Sequence, residues 1–324
     1  MDKPTKVLCS KYSSENREAI SGTAPDWDTL ILVSLSTPWQ PDIEDSNNFP
    51  DGISEIVKSA SSSSNKIRMQ CIIPDEDYIW SGLTKVIQYS KQLTSDYFSK
   101  FQKLEFDISF DNLSEFIRKL IIDKDSDLIG QGMTNHPDCR DIFVCTHGSQ
   151  DVCCASFGFP IYSKLKNKFQ KYEFENTRVW RTSHIGGHRY APNVIDMPNG
   201  RVWSRFGVDD IDGIFDMQYS VDEIKRFYRG LIGLDTPYEQ VLERELLLES
   251  GWDWTNTMFK SELVESKDNQ AIVQIETLGS DTSAKSLYQA TIEINGYVQR
   301  IECRSGIETK KEPQYEITTF EKLV

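Results

Sequence analysis

Between residues 145 and 188 the chain gathers three of its seven cysteines and three of its four histidines. Cys145 ends the apolar run 141–145 (DIFVC), which reads as a buried strand. Cys153-Cys154 follows in a short polar loop, just before a helical pattern over 155–169. Another short strand, 178–181, leads to His184-Ile185-Gly186-Gly187-His188. A fold that lets these side chains act together must return the second segment, about thirty residues on, to the end of the strand carrying the first. Soft donors concentrated in this way point to a metal or an iron–sulfur site.

The local chemistry narrows the reading. A thiol at the entry to a helix gains from the helix N-terminus, which favours Cys154 as a thiolate. Two glycines between the histidines let the backbone turn sharply and approach a bulky cofactor. They argue against an i,i+4 histidine pair on a helix, since each glycine costs about 1 kcal/mol in a helix interior. The eight residues between Cys145 and Cys154 are longer than the C-x₂₋₄-C knuckle of structural zinc sites.

Composition excludes some functions. The net charge of -14 repels phosphate, so nucleic acid and an anionic membrane surface are not expected partners, whereas a basic protein partner is compatible. A hydrophobic content of 38% with 11% aromatics supports a sizeable core. The first residues, MDKPTKVLCSKYS, lack the apolar stretch of a secretory signal, and the run 30–33 is far too short to cross a bilayer. The expected compartment is cytoplasmic, where thiols stay reduced and clustered cysteines serve as ligands or redox groups.

The predicted order is α/β. Residues 28–35 and 67–73 read as buried strands with a helix from Ile53 between them, a parallel unit. Residues 79–100 read as helix and loop, and 113–122 as a helix. Pro160 is placed near the start of the helix over 155–169. Pro198-Asn199-Gly200 signals a hairpin. Ser220 with Glu223 forms a capping box for a helix VDEIKRFYR, stopped at Gly230. Beyond Thr236-Pro237 lie an amphipathic helix over 238–250 and a small antiparallel sheet, with a tight turn at Asn295-Gly296. No solenoid or propeller repeat is visible. The strand, ligand loop, helix, strand, hairpin, helix order resembles a thioredoxin-like unit.

The pattern C-T-H-x-x-x-D-x-x-C followed by H-x-G-G-H, together with HIGGHRYAPNVIDMPNGRVWSRFG, resembles the sucrase/ferredoxin-like family, thioredoxin-like ferredoxins that include the actin-patches-distal proteins. The opening CSKYSSENREAISGTAPDWDTLILVSLSTPW is similar too, so the likeness extends over the first two thirds. The last ninety residues or so carry no motif of this kind. The resemblance implies thioredoxin-like ferredoxin domains with a C-terminal α+β extension: an N-terminal α/β region over 1–135, a ferredoxin domain over 136–235, and a helix plus antiparallel strands over 236–324. It implies a [2Fe-2S] cluster held by Cys145, Cys154, His184 and His188, acting as an electron carrier for an unnamed donor or acceptor protein. In a Rieske-like arrangement the cysteines hold one iron and the neutral imidazoles the other, raising the potential to roughly -150 to +300 mV. Imidazole protonation can then couple to electron transfer. Gln150 departs from the arginine frequent at that place in the family.

Competing readings stand beside this one. Cys153 is the alternative to Cys154, and otherwise a small buried residue at the helix start. A structural Cys2His2 zinc site accepts the same donors. A thiol oxidoreductase using Cys153-Cys154 lacks the C-x-x-C spacing. No carboxylate pair stands out as the acid and nucleophile of a glycosidase, and an independent enzyme is not expected. His147 reads first as an exposed loop residue, with a hydrogen-bond donor behind the ligands or a spare ligand as the alternatives. Cys9, Cys71, Cys139 and Cys303 read as ordinary thiols, and Trp180 and Trp203 as core. Arg181, Arg189 and Tyr190 either serve the site or pack the hairpin, and Asp151 accepts hydrogen bonds within its own turn. His136 takes no role.

Overall fold

The computed structural model describes residues 7–62, 65–79, 82–124, 127, 139–170, 176–279, 285–303 and 305–324. His136 and part of the serine run at 61–64 lie outside them. The chain is a mixed α/β protein. After α1 (Cys9–Glu15), β1 (Thr29–Ser34) is buried along its whole length, as a continuous apolar run requires of a strand covered on both faces. It is followed by α2 (Ile53–Ala60), β2 (Ile67–Ile72), the hairpin β3 (Thr84–Thr94) and β4 (Tyr97–Ile108), and α3 (Leu113–Arg118). The order then repeats. Strand β5 (Arg140–Cys145), helix α4 (Val152–Gln170) and β6 (Thr177–Thr182) lead into the hairpin β7 (Asn193–Met197) and β8 (Arg201–Ser204).

In each half the second strand pairs parallel with the first, the third pairs antiparallel with the first, and the fourth pairs antiparallel with the third. The halves meet edge to edge where β2 pairs with β6 at Ile72 and Thr182. One edge is extended by β9 (Tyr228–Leu231), reached through α5 (Ile211–Phe215) and α6 (Val221–Ile224). The other is extended by β10 (Met258–Lys267), β11 (Gln270–Leu278), β12 (Lys285–Ile301) and β13 (Glu308–Lys322), which follow α7 (Pro237–Ser250). Among the described residues thirteen strands form one sheet in the order β13-β12-β11-β10-β4-β3-β1-β2-β6-β5-β7-β8-β9. The C-terminal strands therefore continue the main sheet, through Phe259 opposite Phe98.

Several expectations are corrected. Most of 79–100 is the β3–β4 hairpin, turning at Ser95 and Asp96, both at positive φ. The first four residues of β3 are all buried, so the polar–apolar alternation that would mark a strand is erased there. Pro160 lies well inside α4, not near its start. The Ser220–Glu223 capping box is present, but its helix ends at Ile224 and Tyr228–Leu231 joins β8 as a strand. Gly230 sits in that strand at φ 140, against the Gln240 side chain. Asn295-Gly296 makes no turn. Strand β12 runs straight through it with an irregularity between Ile294 and Gly296, because β13 is long enough to pair on both sides.

Trp180 and Trp203 are core residues, each 1% exposed. The core also holds charge. Arg178 donates to both oxygens of Glu105 (2.9 and 2.7 Å) and to Asp141 Oδ1 (2.8 Å), while Trp180 Nε1 donates to the same oxygen (2.7 Å). Lys103 and Tyr89 complete the shell around Asp141, so the buried charge is paired and hydrogen-bonded as burial demands.

Candidate metal centre

The strand end and the helix start are locked together by contact at one glycine. A Cβ on Gly158 would lie far inside the van der Waals shell of the Cys145 carbonyl oxygen, so only glycine lets α4 pack this closely on the end of β5. Asp151 begins the helix: its Oδ1 accepts the Cys153 N–H (2.8 Å) and its backbone carbonyl accepts the Cys154 N–H (3.1 Å). This is the turn bonding expected of Asp151. Two adjacent helical residues point about 100° apart, and the pair accordingly splits. Cys154 Sγ lies 3.5 Å from His184 Nδ1, and Cys145, Cys154 and His184 bring their donor atoms within 4.8 Å of one another. Cys153 Sγ faces the other way, toward Cys9 (3.7 Å) and Cys303 (3.3 Å).

The histidine loop is held by its backbone. Arg68 and Gln70 of β2 donate to the His184 carbonyl (3.2 and 3.1 Å). His147 is buried, not an exposed loop residue. Its Nε2–H donates to the Gln40 carbonyl (2.9 Å) and its Nδ1 accepts the His184 N–H (3.2 Å), which fixes the neutral tautomer. Burial lowers its pKa, against the opposing pull of the Gln40 carbonyl. Gly186 and Gly187 have φ of 105 and 69, and a Cβ on Gly187 would strike Arg229 and Tyr190. The fully buried Arg229 donates to the Gly186 carbonyl (3.2 Å) and to Asn193 Oδ1 (2.9 Å), and Asn193 Nδ2 donates to the Gly187 carbonyl (2.9 Å). Arg189 and Tyr190 both bind Glu18 (2.7 Å each), tying the loop to the segment after α1. Arg181 lies over Phe159.

His188 stands between two groups. Its ring centroid is 5.8 Å from that of His184. Its Nδ1 meets Asp151 Oδ2 (3.0 Å) and Cys9 Sγ (3.1 Å), and its Nε2 faces Arg300 (3.3 Å). Its donor atom groups with those of Cys9, Asp151 and Cys303 instead of with Cys145, Cys154 and His184. Of the four sequence candidates, three converge and the fourth adjoins them.

Each thiol group favours one thiolate. A hydrogen bond from Cys154 holds the Cys145 thiol well below its usual value despite burial, with His184 adding to the effect, while the shared proton and burial push Cys154 up. Hydrogen bonds from Cys303 and Cys9 pull Cys153 down to about 3, and Cys303 is pushed up to about 12 through Cys153. Burial pushes Asp151 up, but His188 and the Cys153 N–H outweigh it and hold the carboxyl at about 2. Arg68, Gln70, Asn193, Arg229 and Gly158 carry no signal in a single sequence, although Asn193 falls inside the APNV stretch after the second histidine.

A model of the sucrase/ferredoxin-like family matches residues 20–230. The chain belongs to this family. Two curated relatives, both named altered inheritance of mitochondria protein 32, are similar to part of the chain. The one from Meyerozyma guilliermondii is 32% identical over 97 residues, covering 28% of this chain and 34% of the relative. The one from Debaryomyces hansenii is 36% identical over 95 residues, with the same coverage. The matched part thus spans about a third of the length of each relative. No solved structure matches. The family match runs from the segment before β1 to β9 and contains Cys145, Cys154, His184 and His188, but not Cys9 or Cys303. Among the described residues no helix is long and apolar enough to cross a membrane.

Proposed function

We infer that this sucrase/ferredoxin-like protein carries a [2Fe-2S] cluster on Cys145, Cys154, His184 and His188 and transfers electrons between protein partners. The observation that carries the reading is the convergence of Cys145, Cys154 and His184, from a strand end, a helix start and a glycine-rich loop, with both thiols buried and the imidazole half-buried. The donor set fits the group: two thiols and an imidazole are soft ligands of the kind iron–sulfur centres take. A two-iron core spreads its ligands wider than a single ion does, which suits a fourth ligand just outside the compact trio. His188 meets Asp151 through Nδ1, leaving Nε2 for a metal. A ligating imidazole bound to a carboxylate through its other nitrogen is oriented and made more basic. Ligation through Nε2 requires Arg300 to release its present contact with that atom.

The cluster, when bound, supplies one-electron chemistry. The chain's own residues do the rest. Gly158 sets the spacing of the thiols, and Arg229 and Asn193 hold the glycine turn. His147, Arg68 and Gln70 fix the backbone of His184. A solvent cleft of about 570 Å³ lined by Asp42, Glu44, Asp45, Arg68, His147 and His184 reaches this side of the site. Its acidic rim and the net charge of -14 suit a basic redox partner. The paired halves of identical strand order support the thioredoxin-like reading of the fold, and a cytoplasmic setting keeps the thiols reduced.

Anaerobic purification tests the reading. A red-brown protein with visible absorption supports it, and a colourless one without iron overturns it. His184→Cys should lower the midpoint potential, because a negative thiolate replaces a neutral imidazole. An unchanged potential contradicts histidine ligation there.

A further inference from the structure

Cys9, Cys153 and Cys303 come from the N-terminal helix, the start of α4 and the segment after β12, yet their sulfurs meet. Cys9 and Cys303 are 2.7 Å apart, Cys153 and Cys303 3.3 Å, and Cys9 and Cys153 3.7 Å. All three are free thiols, and Cys9 and Cys153 are fully buried. Asp151 brings a carboxylate oxygen within 4.8 Å of the Cys9 and Cys303 sulfurs. His188 Nδ1 stands 3.1 Å from the Cys9 sulfur in the same group, and the remaining packing is apolar, formed by Leu8, Tyr12, Val152, Phe157, Ala191 and Ile301. Buried cysteines ordinarily behave as small hydrophobic groups and scatter through a core. Three of seven converging on one point beside a carboxylate form a donor set.

We propose that Cys9, Cys153 and Cys303, completed by Asp151, bind one zinc ion at a second centre separate from the cluster site. Three thiolates and one oxygen or nitrogen donor suit zinc, which takes four ligands tetrahedrally and imposes no redox chemistry. With Zn–S bonds of about 2.3 Å, tetrahedral sulfurs lie about 3.8 Å apart. The Cys9–Cys153 separation already matches, and the other two need to open by about an ångström or less. A cavity of about 720 Å³ lined by Asp151, His188, Arg300 and Cys303 gives the ion a path from solvent. The fourth position falls to Asp151, because the cluster reading assigns His188 to iron. The three-thiolate site itself does not depend on that reading. Such a centre clamps both ends of the chain onto the ligand loop, with Asp151 touching the zinc site on one side and His188 on the other.

The test is elemental analysis of the full chain purified anaerobically with zinc supplied, together with zinc-edge X-ray absorption. One zinc per chain with three sulfur neighbours is expected, and it should be lost in Cys303→Ser and Cys9→Ser while iron, sulfide and the visible spectrum stay at wild-type levels. Zinc in a protein without iron would sink the cluster reading and leave this one standing, provided Cys303→Ser still removes it. Alkylation mapping of the wild type covers the case of variants that do not fold. Cys303, the half-exposed member, should react slowly until a zinc chelator is added and quickly afterwards, with the visible spectrum constant. Three results would overturn the proposal: a chain that takes up no zinc with its thiols reduced, a Cys9–Cys303 disulfide in the anaerobic protein, or loss of iron in Cys303→Ser.

Discussion

Cys153 and Cys154 are neighbours in sequence and members of different side-chain groups in space. One helical step separates their directions, so Cys154 meets His184 and Cys153 meets Cys9 and Cys303. Cys154→Ser should therefore abolish iron and the visible absorption, whereas Cys153→Ser should leave both. Absorption spectra with iron analysis read the difference. Gly158 offers a sharper test of the strand–helix contact. Gly158→Ala forces a methyl group against the Cys145 carbonyl oxygen, and overpacking of this kind costs about 1–3 kcal/mol. The unfolding free energy from urea titration should fall by that amount, moving the midpoint down, and cluster occupancy should drop with it. The four candidate ligands were legible because their types and spacing are uncommon. Cys9 and Cys303 were not: they lie 294 residues apart, and nothing local announces that α1 and the end of β12 pack on the same loop.

Elements were legible where one period dominated. Strands β1, β2 and β5 are short apolar runs bounded by turn or loop residues, and α2 and α3 show helical spacing. The β3–β4 hairpin escaped because the start of its first strand is covered on both faces and includes a buried lysine, Lys85, bound to Glu105 (2.9 Å). The same pairing explains how Glu105 and Asp141 sit inside a sheet. Burial raises both carboxyls, but Arg178 and the lysines outweigh it and hold them below their usual range. Arg178→Ala leaves two buried carboxylates short of a partner and should destabilise the protein by about 3–5 kcal/mol, measured by urea unfolding. The sign of the pH dependence follows. The folded values are depressed, so the stabilisation is complete above the unfolded values of about 3.9 and 4.3 and is lost as pH falls through the folded ones. Stability contributed by this pair should be flat between pH 7 and 5 and fall below about pH 4. A fall beginning near neutrality would contradict the assignment of these two groups.

The whole molecule joins two halves of like strand order along β2 and β6, and the site draws on both. Its candidate ligands come from the second half, while Arg68 and Gln70 of the first brace the His184 carbonyl, and the segment before β1 holds Arg189, Tyr190 and Arg229. The region 136–235, which reads from sequence as a domain, leans on its neighbours for one sheet edge and for its loop. Expressed alone it should bind iron poorly and expose apolar surface to a hydrophobic dye; full iron loading of that fragment would show the first half to be dispensable. The doubled strand order was hidden in the sequence because the halves share topology and not a visible repeat. The central claim is that histidines and cysteines together hold a two-iron cluster. Pulsed EPR of the dithionite-reduced protein, with histidine labelled by nitrogen-15, tests it most directly. The account predicts a cluster signal coupled to two histidine nitrogens, one of them lost in His188→Ala. A signal without histidine nitrogen coupling, or no paramagnetic signal from the fully reduced chain, would contradict it.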